Sequence, residues 1–259
     1  MVQSMKILLT NDDGIYAKGI EVLHKHLSKD NEVIVVAPET EQSAVGHAIT
    51  LTDPLLVKSV KRNGIFFGYA VKGTPADCVK LAINELVDKQ PDLVFSGINL
   101  GANVGINVIY SGTVSAATEG AILGVPSVAI SINTFKDPDF EPAARFARLL
   151  ANQVNKYGLP PHTSLNVNVP AIPENEIKGA KVTRQGVTRF VESFDRRVDP
   201  RENIYYWQCG STPPLAEDDD TDASALARDY ISITPIHHDL TNYDFLRSLS
   251  SWSFTDTPE

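Results

Sequence analysis

The sequence predicts an α/β protein built on a doubly wound, mostly parallel sheet, and three observations carry that expectation. Short runs that are continuously apolar or β-branched alternate with helical patterns from the start of the chain to about Ser131. Continuous apolar runs suit parallel strands covered on both faces, whereas recurrence every three or four residues marks amphipathic helices. Three polar loops, Asn11 to Gly14, Pro38 to Gly46 and Gly97 to Gly105, each follow a predicted strand. Right-handed crossovers gather such loops at the carboxyl edge of the sheet, where open α/β sheets bind ligands.

Lys6 to Thr10 is the first strand. Lys18 to Leu27 is a helix because Ile20, Leu23, His24 and Leu27 recur at helical spacing, and Glu32 to Ala37 is the second strand. Leu55 to Lys61 and Ile65 to Val71 read as an inserted hairpin with Arg62-Asn63-Gly64 as its turn. Ala76 to Leu86 follows Pro75 as a helix, then Leu93 to Ser96 is a strand, Val114 to Leu123 a helix and Ser127 to Ile132 a strand. Glu141 to Lys156 continues as a helix and Ser164 to Val169 alternates as a strand.

Past Pro170 the pattern changes. Ala180 to Asp195 holds β-ribbon strands around Gly186, Ile204 to Gln208 is a strand, and Glu217 to Asp222 is an acidic loop. Tyr230 to Pro235 and Tyr243 to Trp252 read as a last strand and a terminal helix. Gln185 to Gly210 is too short to bury a core of its own, so it is an arm of a single domain over residues 1–259. The core of that domain is about 5–184 and 229–241, with a C-terminal segment of about 242–259. Met1 to Ser4 precede the first strand and read as an added or dispensable leader.

With 259 residues, 42% hydrophobic and 21% charged, the chain can bury a sizeable core and has the composition of a globular enzyme or binding protein. The net charge of -9 argues against a long basic track for polymeric nucleic acid, which would have to neutralise many phosphates. Without a membrane-length apolar run or a secretory signal, a cytoplasmic protein with no membrane partner is expected. Cys78 and Cys209 lack metal-ligand spacing, and Cys78 sits in an apolar helical pattern that suits the core.

The chemistry concentrates in the loops. Asp12 and Asp13 are adjacent carboxylates at a strand end, repelling each other by roughly 1 to 4 kcal/mol at contact distance unless solvent or a cation intervenes. The bland alternative is a turn, since Asn, Asp and Gly tolerate left-handed backbone. Gly97-Ile-Asn-Leu-Gly-Ala-Asn-Val-Gly105 repeats Gly every four residues with Asn in each gap, exposing main-chain N–H groups and carboxamides. Ser111-Gly112-Thr113 opens a helix, and a helix start binds phosphate without Lys or Arg; the plainer reading is a Ser or Thr cap. Ser43 lacks a His and Asp partner pattern, which ranks a metal or phosphate contact above a nucleophile. His47 is placed to cap a loop or face substrate, while His24, His26 and His162 read as structural or solvated. His237 and His238 cannot both point at a site from one strand face.

Together these residues resemble the survival protein SurE family, the metal-dependent 5′(3′)-nucleotidases and exopolyphosphatases. The resemblance runs through Lys6-Ile-Leu-Leu-Thr-Asn-Asp-Asp-Gly-Ile15, Val35-Val-Ala-Pro38 and Glu41-Gln-Ser-Ala44. It continues through Gly73-Thr-Pro-Ala-Asp-Cys-Val79, Ser96-Gly-Ile-Asn-Leu-Gly-Ala-Asn103, Ser111-Gly-Thr-Val-Ser115, Ser232-Ile-Thr-Pro-Ile-His237 and Asp239-Leu-Thr241. The region from Pro170 to Asp229 matches loosely.

The resemblance implies a Rossmann-like core in which Asp12, Asp13, Ser43 and Asn99 hold one Mg²⁺ or Mn²⁺ per subunit. It also implies phosphate contacts from Asn103, Ser111, Gly112 and Thr113, catalytic roles for Asp12, Asp13 and Asn99, and a family histidine near the site at His237. The implied reaction is hydrolysis of nucleoside 5′-monophosphates, with 3′-monophosphates and short polyphosphate as further substrates. The implied assembly is a homodimer or homotetramer formed through the β-arm and the C-terminal segment. Two other readings remain beside it: a nucleotide-sensing binding module without turnover, and transfer to an acceptor other than water.

Overall fold

A computed structural model describes residues 4–136, 138–211 and 218–254. Glu217 of the acidic loop, residues 1–3 of the leader and residues 255–259 of the C-terminal segment lie outside the described residues. The first half alternates β1 (Lys6–Thr10), α1 (Lys18–Leu27), β2 (Glu32–Pro38), the hairpin β3 (Leu56–Arg62) and β4 (Ile65–Lys72), and α2 (Pro75–Leu81). There follow β5 (Leu93–Leu100), α3 (Gly112–Ile122), β6 (Ser127–Ile132), α4 (Glu141–Tyr157) and β7 (Thr163–Val169). The last third holds β8 (Ala180–Val182), β9 (Val191–Val198), β10 (Ile204–Ser211), α5 (Asp222–Ala227), β11 (Ile231–His237) and α6 (Tyr243–Leu249).

The main sheet runs in the order β3-β4-β2-β1-β5-β6-β7-β11-β8. From β4 to β7 every neighbouring pair is parallel, while β3 and β11 pair antiparallel with β4 and β7. Alternate side chains of each strand enter opposite layers, as the pleat demands. Ile7 and Leu9 pack with Leu23 of α1 and Ala147 of α4, whereas Leu8 packs on the other face with Cys78 and Val79 of α2 and Ala116 of α3. The doubly wound architecture expected from the alternating pattern is therefore the one observed.

The β3–β4 turn has Asn63 at φ 50° and Gly64 at φ 80°, the pair of left-handed residues that a two-residue hairpin needs. α2 opens on a reciprocal cap in which Asp77 N donates to Thr74 Oγ1 at 3.1 Å and Thr74 N donates to Asp77 Oδ2 at 2.9 Å. The helix expected to run to Leu86 instead loosens into a π-turn over Ala82–Leu86.

The larger departure is β5, expected to end at Ser96. It continues to Leu100, with a register shift between Gly97 and Asn99, because Asn99 and Leu100 pair with Ser131 and Ile132 while Ile98 is fully buried. Asn99 thus stands on a strand end rather than in a free loop. β9 and β10 form a separate two-stranded ribbon whose residues are all exposed, among them Phe194, Tyr206 and Trp207. No described helix is long and apolar enough to cross a membrane.

Candidate active site

β1 lies between β2 and β5, and the chain winds in opposite directions from it. The carboxyl ends of these three neighbouring strands therefore form the crevice at which open α/β sheets hold ligands. Asp12 and Ser43 stand on the loops that leave β1 and β2, Asn99 on the end of β5 itself, and these three side chains line one cleft of about 270 Å³ together with Asn103 and Ser111. Asp13, Gly112 and Thr113 are not among the residues that line it.

Asp12 is nearly closed to solvent at 5% exposure. Thr113 N donates to its Oδ2 at 3.0 Å, and the Thr113 hydroxyl donates to Oδ1. Gln42 N reaches the Asp12 carbonyl at 2.7 Å, so the second loop is pinned to the first. Burial raises the Asp12 carboxyl above its ordinary range, against the opposing pull of the Thr113 hydrogen bonds. Asp13 is raised to about 7, first by burial and next by the Asp12 charge, while the Leu100 main-chain N–H pulls the other way. The charges acting on Asp13 come from Asp12 and Glu41, both negative.

The helix start sits directly against this pair. Ser111 Oγ caps α3 by accepting from Val114 N at 3.1 Å. Gly112 allows the closest approach: a Cβ there would lie 2.9 Å from Asp12 Cβ, 3.0 Å from Asp12 Oδ2 and 3.2 Å from Pro75 Cγ. Thr113 spends both its main-chain N–H and its hydroxyl on Asp12, which makes it an orienter of that carboxylate.

Asn103 is held by a buried amide cluster that sequence reading missed. Its N–H donates to Asn168 Oδ1 at 2.7 Å, its Nδ2 donates to Ser131 Oγ at 2.8 Å, and its carbonyl accepts from Asn166 Nδ2 at 2.7 Å and Asn168 Nδ2 at 3.0 Å. The available signal was the buried asparagines at alternate positions of an apolar strand. Asn107 and Tyr110, also in the cleft wall, were missed too, although Asn107 continues the four-residue spacing of Asn99 and Asn103.

The donor set fits a hard divalent cation. Two carboxylates, the Ser43 hydroxyl and the Asn99 carboxamide oxygen are all oxygen ligands, the chemistry that Mg²⁺ and Mn²⁺ prefer. Asn99 Nδ2 is engaged with the Gly101 carbonyl at 2.7 Å, which leaves Oδ1 as its ligand atom. Ser43 Oγ donates to Glu41. Among the described residues no group of three or more His, Cys, Asp or Glu is assembled for a metal, so any ion here depends on the hydroxyl and carboxamide as well.

The histidines lie elsewhere. His47 Nε2 meets Glu119 Oε2 at 2.7 Å, and His26 Nε2 meets Glu141 Oε2 at 2.6 Å. His237, expected near the site, is exposed at the end of β11 opposite Thr163, the first residue of β7, and so lies at the amino edge of the parallel strands. There it accepts from Asp239 N at 3.1 Å. An antiparallel final strand reverses the edge at which its last residue emerges, which the sequence motif alone does not reveal.

The same fold recurs in a solved structure. The SurE protein from Aquifex aeolicus superposes with a TM-score of 0.83 at 41% identity, over 95% of this chain and 98% of that one. A protein of Syntrophobacter fumaroxidans named 5′-nucleotidase SurE is 61% identical over 251 residues, 96% of this chain and 100% of the relative. One of the same name from Syntrophus aciditrophicus is 61% identical over 248 residues, 95% of this chain and 93% of the relative. The family model for survival protein SurE matches residues 7–192, a stretch that contains the Asp12–Asp13 loop, Ser43, the glycine loop and the start of α3. With most of its length matched in sequence and fold alike, this chain belongs to the survival protein SurE family.

Proposed function

We propose that the protein is a phosphatase that depends on one Mg²⁺ or Mn²⁺ per subunit and hydrolyses nucleoside 5′-monophosphates to nucleoside and phosphate. The proposal extends to 3′-monophosphates and short polyphosphate. The observation that carries it is the adjacent carboxylates of buried Asp12 and half-buried Asp13, with Ser43 and Asn99, set against the amino end of α3. The relatives named 5′-nucleotidase support the substrate class.

Phosphate monoester hydrolysis needs accelerations up to about 10²¹, far beyond the 10² to 10⁴ of a single positioned acid or base. When bound, the divalent ion supplies positive charge against phosphoryl oxygens and lowers the pKa of water. Asp12, Asp13, Ser43 and Asn99 would hold it. Ser111, the Gly112 N–H and Asn103 face the charge that spreads over the equatorial oxygens, and their cap and amide bonds fix them in advance. Water attacks phosphorus in line as the bond to the nucleoside oxygen breaks. A carboxylate of the pair takes the water's proton and hands it on to the departing nucleoside oxygen, so that phosphate and a neutral hydroxyl leave.

The exposed faces of β9, β10 and the segment from α6 to residue 254, with Trp207 at 58% and Trp252 at 57% exposure, support assembly as a homodimer or homotetramer. The functional test is phosphate release from 5′- and 3′-monophosphates with Mg²⁺, Mn²⁺ or chelator, for wild type and Asp13→Asn. Metal-dependent release lost in the variant supports the proposal. Tight nucleotide binding without release from metal-loaded protein overturns it in favour of a sensing module.

A further inference from the structure

The chain that leaves β2 runs as a strap over residues 42–50, and Ser43 and Ala44 are its contribution to the cleft. The strap is tied on both sides of that pair. Ahead of it, Gln42 N donates to the Asp12 carbonyl at 2.7 Å. Behind it, Gly46 N donates to the Tyr110 carbonyl at 3.0 Å, and His47 Nε2 meets Glu119 Oε2 at 2.7 Å. Farther on, Thr74 Oγ1 donates to the Ala48 carbonyl at 2.7 Å, and Thr50 N donates to Asp77 Oδ1 at 3.0 Å. Ala44 sits between the ties at φ 56°, a left-handed value that a residue other than glycine keeps only where its surroundings impose it.

The tie made by His47 matters because of where its partner stands. Glu119 belongs to α3, the helix whose start holds Asp12 through both donors of Thr113. Thr113 and Glu119 are six residues apart, about 9 Å along the helix axis. Over that length α3 is a stiff spacer, gripping Asp12 at one point and the Ser43 strap at another. The Glu119 side chain is only 4% exposed, and its second oxygen accepts from Lys80 Nζ of α2 at 2.8 Å. A buried carboxylate with both oxygens engaged by cationic or ring N–H donors is a fixed anchor.

We infer that His47 is a positioning residue for the metal centre: through Glu119 it fixes the strap to α3, and so sets where the Ser43 hydroxyl stands relative to Asp12. The inference rests on the metal reading above and adds a residue that is not among those lining the cleft. Mg²⁺ demands near-ideal octahedral geometry, so a ligand carried on a slack strap costs affinity even though no ligand atom has been removed.

The test measures Mn²⁺ affinity by calorimetry on metal-free protein, and hydrogen exchange at residues 43–46, in wild type, His47→Ala, His47→Gln, Ser43→Ala and the His47→Ala/Ser43→Ala double variant. The His47 side chain is 33% exposed, so its truncation opens no buried cavity. His47→Ala should raise the Mn²⁺ Kd roughly tenfold and speed exchange at residues 43–46, with β1 and β5 unaltered. His47→Gln, whose amide nitrogen reaches the place of Nε2, should stay within about threefold of wild type. In the double variant the Kd should match that of Ser43→Ala alone, because His47 acts through Ser43. A His47→Ala effect that persists undiminished without the Ser43 hydroxyl overturns the inference, as does faster exchange with an unmoved Kd. Those results leave the metal reading intact, whereas a wild type that takes up no Mn²⁺ overturns that reading and the role of His47 with it.

Discussion

Replacing Asp13 by Asn stabilises the metal-free protein at alkaline pH while removing its activity. The Asp13 carboxyl is raised from 3.8 to about 7 by burial and by the Asp12 charge. A folded value above the unfolded one means that the folded state retains a proton the unfolded chain has already released. The penalty is absent below about pH 4, grows as pH rises, and is complete above about pH 7. A shift of about three units at 1.36 kcal/mol each is about 4 kcal/mol, and partial contact of Asp13 with water reduces it to roughly 2 to 4 kcal/mol. Urea unfolding in chelator, followed by circular dichroism at pH 5 and pH 8, reads this directly. Asp13→Asn should exceed wild type by roughly 2 to 4 kcal/mol at pH 8 and by about a third of that at pH 5. Adding Mn²⁺ at about a hundred times its Kd should return about 2.7 kcal/mol to wild type and little to the variant. An advantage that is the same at both pH values, or a wild type that is more stable in chelator at pH 8, refutes the account of a crowded, cation-seeking pair.

Gly112→Ala sets two effects against each other. Alanine is the better helix former, yet its Cβ must displace the Asp12 carboxylate, so kcat/KM should fall at least about tenfold with stability within about 1 kcal/mol; unchanged kinetics would contradict the close approach. Glu119, buried and bonded to His47 and to Lys80 Nζ at 2.8 Å, is held below its ordinary value by those partners against the cost of its burial. Its stabilisation is present above about pH 4.5 and lost as pH falls further, so Glu119→Ala should lower stability by about 1.5 to 3 kcal/mol at pH 7 with a shrinking difference in acid, checked by urea titrations. Asn168→Leu removes the acceptor for Asn103 N and one donor to its carbonyl; it should weaken inhibition by inorganic phosphate about tenfold, measured with a nucleotide substrate. Trp207→Ser on the exposed ribbon should shift sedimentation toward smaller species while leaving the monomer folded.

The alternation of runs such as Ile7-Leu-Leu9 with helical patterns made the parallel sheet legible, because burial on both faces leaves a compositional trace at every strand. The loops after β1, β2 and β5 were legible for the same reason: parallel order sends strand ends to one edge. What was hidden depends on long-range pairing. The extension of β5 to Leu100 is decided by its ladder with β6, and no local feature of Gly97 to Leu100 announces it. Thr113 belongs to a motif suited to phosphate, yet its two donors are committed to Asp12, a partner 101 residues away. The position of His237 was hidden by strand direction, which the motif around it does not encode.

Asp222 carries a consequence for the making of the protein. Its Oδ2 accepts from Gly105 N at 2.9 Å and its Oδ1 from Gly186 N at 2.9 Å, so one carboxylate clasps the glycine loop and the ribbon root together. Gly105 and Asp222 are 117 residues apart. During vectorial synthesis β1, β2, β5 and β6 therefore emerge, pair and bury their apolar faces long before the clasp leaves the ribosome. A nascent chain that has reached about residue 210 has a sheet and the Gln185 and Thr188 contacts to the loop but not the Asp222 clasp, so the last fastening of the loop is a late, separate event. Asp222→Ala should reproduce that intermediate in the finished protein, with faster hydrogen exchange at the Gly105 and Gly186 amides and unaltered exchange in β1 and β5; unchanged exchange at both glycines would remove the clasp from the pathway.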